Sequence, residues 1–345
     1  MRQLDFKANK PRRARKIISV LACLIIVALT LVQTWRIQYA AVAPQDKTQV
    51  DVVIPEKSGA SQVAVLLKQN GLIRSELVFR YYCSQNNLAT VLKPGHYRFN
   101  RSQTLPEIAQ MIAQGKIVST TVTVPEGYTV EQIGRLLVEK NLVTAADWQA
   151  ALKEDYNFSF LPAVGGRRQQ RLEGFLFPDT YNIELGAPAH QIVNLMLERF
   201  QKAWEPELAA LAQEQKRSPL EVVTIASIIE REAMVAEERE TISGVIKNRL
   251  DKKMALQMCS TVLYVLKQDK PTLSIADTKI DSYYNTYKYT GLPPGPIASP
   301  GIASLQAALH PQKHNYLYFV AKGDGTHQFS VTNAEHLAAI KKYQK

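Results

Sequence analysis

The sequence predicts an α+β protein with a single N-terminal transmembrane helix. Three observations lead there. A cluster of cations is followed by a long uncharged apolar run. Short strands and amphipathic helices then alternate without a strict βα repeat. Glycine- and proline-rich turns break the second half of the chain into short pieces. With 345 residues, 46% hydrophobic and 21% charged, the chain is long enough for two or three domains and apolar enough to bury their cores.

Residues 1–16 form a basic tip. Arg2, Lys7, Lys10, Arg12, Arg13, Arg15 and Lys16 stand there against one acid, Asp5. Much of the net charge of +11 is therefore local to the tip, and the body lacks the basic stripe of a nucleic-acid-binding element. Ile17–Val32 carries no charge. Taken as 17–36, the span covers about 30 Å as a helix, the thickness of a bilayer core. Trp35 and Tyr39 fall at the far interface, where amphipathic aromatics are favoured. Cations ahead of the span place the N-terminus in the cytoplasm and the body outside it, at the cytoplasmic (inner) membrane. A cleaved signal peptide is the alternative, with Ala41-Val42-Ala43 as its small-x-small site. The distance from the apolar run and the following Pro44 weigh against it.

Residues 37–50 lack periodicity and read as a linker. A subdomain is expected over 51–120. Val53-Ile54-Pro55-Glu56 reads as a strand and turn, and residues 63–73 as an amphipathic helix with its stop. Pro94-Gly95 turns into an alternating strand through Phe99. Thr104 then caps a helix with Glu107 at its third position and Gly115 at its end. The result is a small βα module with two helices, which resembles a LysM-like fold. A ligand-free spacer is the alternative.

The remaining residues, 121–345, form the larger domain. Val124-Pro125-Glu126-Gly127 and the helix from Val130 repeat the opening unit of the module. Residues 144–170 read as a helix and a loop ending in Gly165-Gly166-Arg167-Arg168. Helices are expected at Gln191–Lys202, Leu220–Ala233 and Glu238–Leu250. Strands Leu317–Ala321 and Gln328–Thr332 flank the hairpin signal Lys322-Gly323-Asp324-Gly325.

Chemistry points to one helix. In Leu220–Ala233, Val222, Ala226, Ile229 and Ala233 share an apolar face. Glu230 and Glu232 close the run on opposite flanks, so at most one enters a given pocket. A carboxyl at the edge of a buried face loses water and holds its proton, which suits a general acid. Two solvated charges are the alternative, and periodicity does not choose between the glutamates. No histidine pair has metal-ligand spacing, and no phosphate loop or nucleophile elbow occurs. No cofactor or metal is expected. Cys83 and Cys259 read as free buried thiols, a disulfide between them being possible but not indicated.

Five blocks in order are similar to those of the YceG-like endolytic murein transglycosylases. They are Leu172-Glu173-Gly174-Phe175-Leu176-Phe177-Pro178-Asp179-Thr180-Tyr181; Ile225–Ala233; Val245–Leu250; Tyr284-Asn285-Thr286-Tyr287 continuing to Gly291–Gly301; and His310-Pro311 with Tyr316–Val320. The resemblance covers nearly everything beyond the anchor. It implies a lytic enzyme that cuts the bond from N-acetylmuramic acid to N-acetylglucosamine and leaves 1,6-anhydro ends. It implies Glu232 as the catalytic acid, with Glu230 as the alternative. It further implies peptidoglycan glycan strands as substrate and, as partners, the synthases of nascent strands. Gln257, Asn285 and Tyr287 are the candidate sugar-binding residues, while Glu173 and Asp179 read as fold-supporting. One departure stands out: Met258-Cys259-Ser260 occupies the place of an expected Thr-Asp-Pro. A non-catalytic wall-binding scaffold and a hydrolytic muramidase are the competing functions.

Overall fold

A computed structural model describes residues 11–163, 171–268, 270 and 273–344. Most of the basic tip and the Gly165–Arg168 segment lie outside the described residues. The mixed helix and small-sheet content is α+β. By contact the chain divides into two compact units, Met1–Thr120 with Glu184–Gly186, and Thr121–Ile183 with Ala187–Lys345.

The first unit opens with α1 (Pro11–Tyr39). Within it, Ile18–Tyr39 is long and apolar enough to cross a membrane, with mean hydropathy 2.3. After it come β1 (Gln49–Ile54), α2 (Ala60–Gln69), α3 (Glu76–Gln85), β2 (Gly95–Asn100) and α4 (Leu105–Gln114). β1 and β2 pair antiparallel with Val52 opposite Tyr97. Strand alternation sends Val52, Ile54, Tyr97 and Phe99 inward, where Leu67, Phe79, Ile108 and Ile112 of the helices meet them. The α4 cap forms as its residues dictate. Glu107 accepts the Thr104 backbone N–H at 2.7 Å, and Gly115 closes the helix at φ +70°.

Two expectations for this unit need correction. The module has three helices, not two. α3 buries only Phe79 and Cys83, so its periodic signal is faint and the Ser75 cap is the main trace of it. The linker, too, is anchored. Arg74 donates to the carbonyls of Ala41 and Val42 at 2.8 and 3.0 Å, and Arg101 pairs with Asp46 at 3.3 Å. Such partners are distant in sequence and leave no local pattern.

Further along the chain, β3 (Ser119–Thr123) pairs with β4 (Thr180–Glu184). The helices are α5 (Val130–Glu139), α6 (Ala145–Ala151), α7 (Ala189–Trp204), α8 (Glu207–Glu214), α9 (Pro219–Glu232), α10 (Arg239–Asp251), α11 (Cys259–Leu266) and α12 (Ile302–Leu309). The hairpin β5 (Tyr318–Ala321) and β6 (His327–Ser330) precedes α13 (Asn333–Tyr343). α9 is the centre. Every residue from Val222 to Ile229 is buried, so the helix is enclosed on all sides and not on one face alone. It packs on α8, α10, α11 and α12. Ser218 caps its start and Pro219 occupies its first turn, as helix N-termini prefer. Its last helical residue is Glu232; Ala233 is already extended, with φ −75° and ψ 120°.

Candidate active site

The end of α9 is where the chemistry concentrates. Ile228 and Ile229 anchor the last turn in the core, so the three residues that follow are held rigidly at its edge. Glu232 Oε1 accepts two hydrogen bonds from Ser260, one from its backbone N–H at 3.1 Å and one from its hydroxyl at 2.7 Å. Ser260 lies in the first turn of α11, where backbone N–H groups lack helical partners. Burial pushes the Glu232 carboxyl above the usual carboxylate range. The Ser260 hydrogen bonds oppose this, as do, more weakly, the charges of His327 and Arg231. The C-terminal end of a helix also disfavours a negative charge.

Glu230 meets a different environment on the opposite flank. Its Oε2 accepts the Gly301 N–H at 3.0 Å, and its Oε1 lies 3.8 Å from Arg239. The side chain is only 8% exposed. Glu126 belongs to the same cluster: a Cβ at Gly301 would meet its carboxyl, so a larger residue there would have to displace that carboxyl. Burial and the nearby Glu230 raise the Glu126 pKa, while Arg239 lowers it. Arg239 also donates to Ser304 at 3.2 Å. Glu126 thus takes part through the Pro-Glu-Gly turn, which is stitched to the 299 loop by Gly127 N–H to Ser299 O and Ser299 N–H to Tyr128 O.

The three candidate sugar-binding residues separate. Tyr287 is half-buried, and its hydroxyl lies 3.1 Å from Cys259 Sγ. Burial raises the pKa of both Cys259 and Tyr287; their contact lowers that of Cys259 and raises that of Tyr287, and Glu232 raises both, so the three groups share one locality. Gln257 is exposed at φ +51°, and Arg249 donates to its carboxamide oxygen at 3.4 Å. Asn285 is fully buried, its amide donating to Thr278 O and Ile280 O and accepting from Tyr287 N–H. It shapes the loop that presents Tyr287. Thr261 is likewise buried, bonded to Met258 O and 2.9 Å from the Thr286 hydroxyl. Cys259 corrects the expectation of two buried thiols. Cys83 is buried and Cys259 exposed, because Cys259 takes the first position of α11 beside the acid; both are free.

Arg249 holds the floor of this region. It is buried and donates to the carbonyls of Ala255 and Leu256, each at 2.9 Å, and to Leu317 O, with Tyr318 beneath its guanidinium at 4.9 Å. Glu173 supports α5 from below. It accepts the Val130 N–H at 3.0 Å and the Tyr264 hydroxyl at 3.2 Å, and burial pushes its pKa up to about 7. Asp179 accepts from Thr180 N–H and pairs with Arg199.

Sequence reading missed Ser260, His327 and Glu238. His327 is held by Glu238, which accepts its backbone N–H at 2.9 Å and lies 2.6 Å from its Nδ1. The only sequence sign of Ser260 was the departure at 258–260. His327 stands two residues after Gly325 of the hairpin and has no motif spacing to any other group.

With the geometry at the end of α9 described, comparison with known proteins identifies the family. The family model described as YceG-like family matches residues 52–342. The chain belongs to the YceG-like family. It is 36% identical over 314 residues to a Bacillus subtilis (strain 168) protein named endolytic murein transglycosylase, covering 88% of this chain and 87% of that one. A Streptococcus pneumoniae (strain D39) protein of the same name is 32% identical over 302 residues, 80% of this chain and 54% of the longer relative. A crystal structure of a YceG-like protein from Listeria monocytogenes aligns with TM-score 0.57 and 31% identity, over 85% of this chain and 99% of that one.

Proposed function

We propose that the chain is an endolytic murein transglycosylase with Glu232 as its catalytic acid and base. The observation that carries this reading is the contrast at the end of α9. Glu230 faces Arg239, whereas Glu232 is desolvated, held by one oxygen on Ser260, and lacks a salt bridge among the described residues. The relatives named above supply the reaction class.

In the proposed reaction, protonated Glu232 donates to the glycosidic oxygen between N-acetylmuramic acid and N-acetylglucosamine as positive charge builds at C1. The carboxylate left behind takes the proton of the muramoyl C6 hydroxyl, whose oxygen bonds to C1. The glycan is cut without water, and the new end is a 1,6-anhydro sugar. One carboxyl serves both steps because the nucleophile belongs to the substrate, which removes the need for the second carboxylate of ordinary glycosidases. The intramolecular hydroxyl brings a high effective molarity. Tyr287 offers a ring for a sugar face and Gln257 an amide for an acetamido group; Asn285 acts behind them by fixing the loop.

α1 supports a single-pass anchor with the N-terminus in the cytoplasm and residues beyond about 37 outside. The β1-α2-α3-β2 order, with its two strands antiparallel, supports a LysM-like glycan-binding module over 51–120 and a catalytic domain over 121–345. Nascent strands beside the peptidoglycan synthases are the proposed setting.

The test is incubation of the full chain, and of Glu232→Gln and Glu230→Gln variants, with purified peptidoglycan, followed by mass spectrometry. Anhydro ends lost only in Glu232→Gln support the assignment. Reducing ends, one water heavier, would make the protein a hydrolase. A folded native chain that releases nothing would make it a scaffold.

A further inference from the structure

Where α1 ends, α3 begins to matter. The Trp35 ring lies 5.3 Å from that of Tyr81 and 5.9 Å from that of Tyr39, and Tyr39 lies 5.7 Å from Tyr82. Four aromatic rings, two from each helix, therefore form one patch. Its outer members are not covered by protein: Trp35 is 43% exposed, Tyr81 50% and Leu77 68%. Leu77 and Tyr81 stand one turn apart on the same face of α3, with Arg80 and Ser84 exposed beside them. An open hollow of about 590 Å³ adjoins the patch, lined by Val32, Trp35, Arg36 and Tyr39 of α1, by Thr104 capping α4 and by Pro106 within it.

Isolated exposed apolar side chains need no explanation. These are clustered, and the cluster has a fixed height. Trp35 lies about 26 Å along α1 from Ile18, close to one bilayer core. Any seating of α1 that puts Trp35 at the headgroup layer puts Tyr81 there as well, because the two rings touch. Aromatic rings, a leucine and an arginine on one short helix are the chemistry of the interfacial zone, where rings straddle the polar boundary and guanidinium groups reach phosphates.

We infer that α3 is a second membrane contact, its Leu77–Tyr81 face lying in the headgroup layer of the leaflet into which α1 emerges. The first unit is thereby seated on the bilayer surface and does not swing freely from its anchor. This rests on the reading of α1 as a membrane span.

The full chain, with Cys23 and Cys259 changed to serine and buried Cys83 kept, would carry a polarity-sensitive nitrobenzoxadiazole label on a single cysteine at position 77, 84 or 56. Glu56 is the control. β1 runs away from the anchored 41–46 segment, so Glu56 lies about 17 Å or more beyond its start. In phospholipid vesicles, labels at 77 and 84 should emit to the blue of the label at 56. They should lose most of their intensity to lipids bearing a nitroxide at the headgroup or high on the acyl chain, while the label at 56 keeps its own. Labels at 77 and 84 that match 56, in a chain resisting alkaline extraction from the vesicles, would overturn the α3 contact and leave the anchor intact. A chain that alkaline washing removes would overturn both.

Discussion

The two flanks of the α9 terminus, two residues apart, make the same kind of contact and are given different roles by the proposed mechanism. Each glutamate receives a backbone N–H from the start of another helix: Glu230 from Gly301 before α12, Glu232 from Ser260 in α11. The difference is the counter-charge. Arg239 lies 3.8 Å from Glu230, while Glu232 is desolvated without a salt-bridge partner among the described residues. A hydrogen-bonded buried carboxyl is therefore not enough to mark a candidate acid; the proposed assignment also asks whether a cation is paired with it.

The sharpest way to break this comparison is at Glu232. Glu232→Gln keeps the shape and an acceptor for Ser260 but removes the transferable proton. Turnover should fall by roughly a hundredfold or more, with the melting temperature little changed; an equal loss in Glu230→Gln would erase the distinction. Because the Glu232 pKa is raised, the native enzyme should be active where an exposed glutamate would already be ionised, and should lose activity as pH rises through that pKa.

Glu230→Gln should show the complementary pattern. It leaves Arg239 facing a neutral amide and should cost roughly 2–3 kcal/mol of stability, with Glu126 partly replacing the lost charge. Turnover of the folded fraction should stay within a few-fold of native. Denaturant titration alongside activity reads both.

Glu173 offers a third probe, since it is buried and hydrogen-bonded without a cation yet sits under α5, away from the acid. Its pKa, about 7 in the folded protein, exceeds the unfolded value, so the folded state binds the proton more tightly. Its contribution to stability is greatest below the unfolded pKa and declines as pH rises toward 7. Glu173→Gln should flatten the stability profile between about pH 4.5 and 7 by on the order of 2 kcal/mol. An unchanged slope would assign the pH dependence elsewhere.

The smallest effect is expected from Ser260→Ala. The hydroxyl bond to Glu232 favours the charged form, so its loss should raise the acid's pKa. The falling limb of the pH–rate profile should move to higher pH by up to about one unit, with a few-fold loss in maximal rate from looser positioning. A shift to lower pH would contradict the assigned hydrogen bond.

How much of this was legible beforehand depends on distance along the chain. The α4 cap at Thr104 and Glu107, the 322–325 hairpin and the apolar run of α1 are written in neighbouring residues, and the structure carries them. Placing Glu230 and Glu232 on opposite flanks needed only helical geometry. Choosing between them by physics required Arg239, Ser260 and Gly301, which approach α9 from three other elements. The short helices α11 and α12 have almost no polar face to set a period, and β4 hides in an aromatic stretch. Asn285 looked like a sugar ligand by residue type; its amide is engaged by loop carbonyls that no local pattern reveals.

The Glu238–His327 contact has a consequence for biosynthesis. It ties the turn just after the acid to a strand that begins only at His327, near the last helix of the chain. A polypeptide made from its N-terminus contains Glu232 long before β6 exists to bring His327 near it. On the proposed assignment, Glu232 therefore gains its full surroundings late, once almost all of the chain has been made.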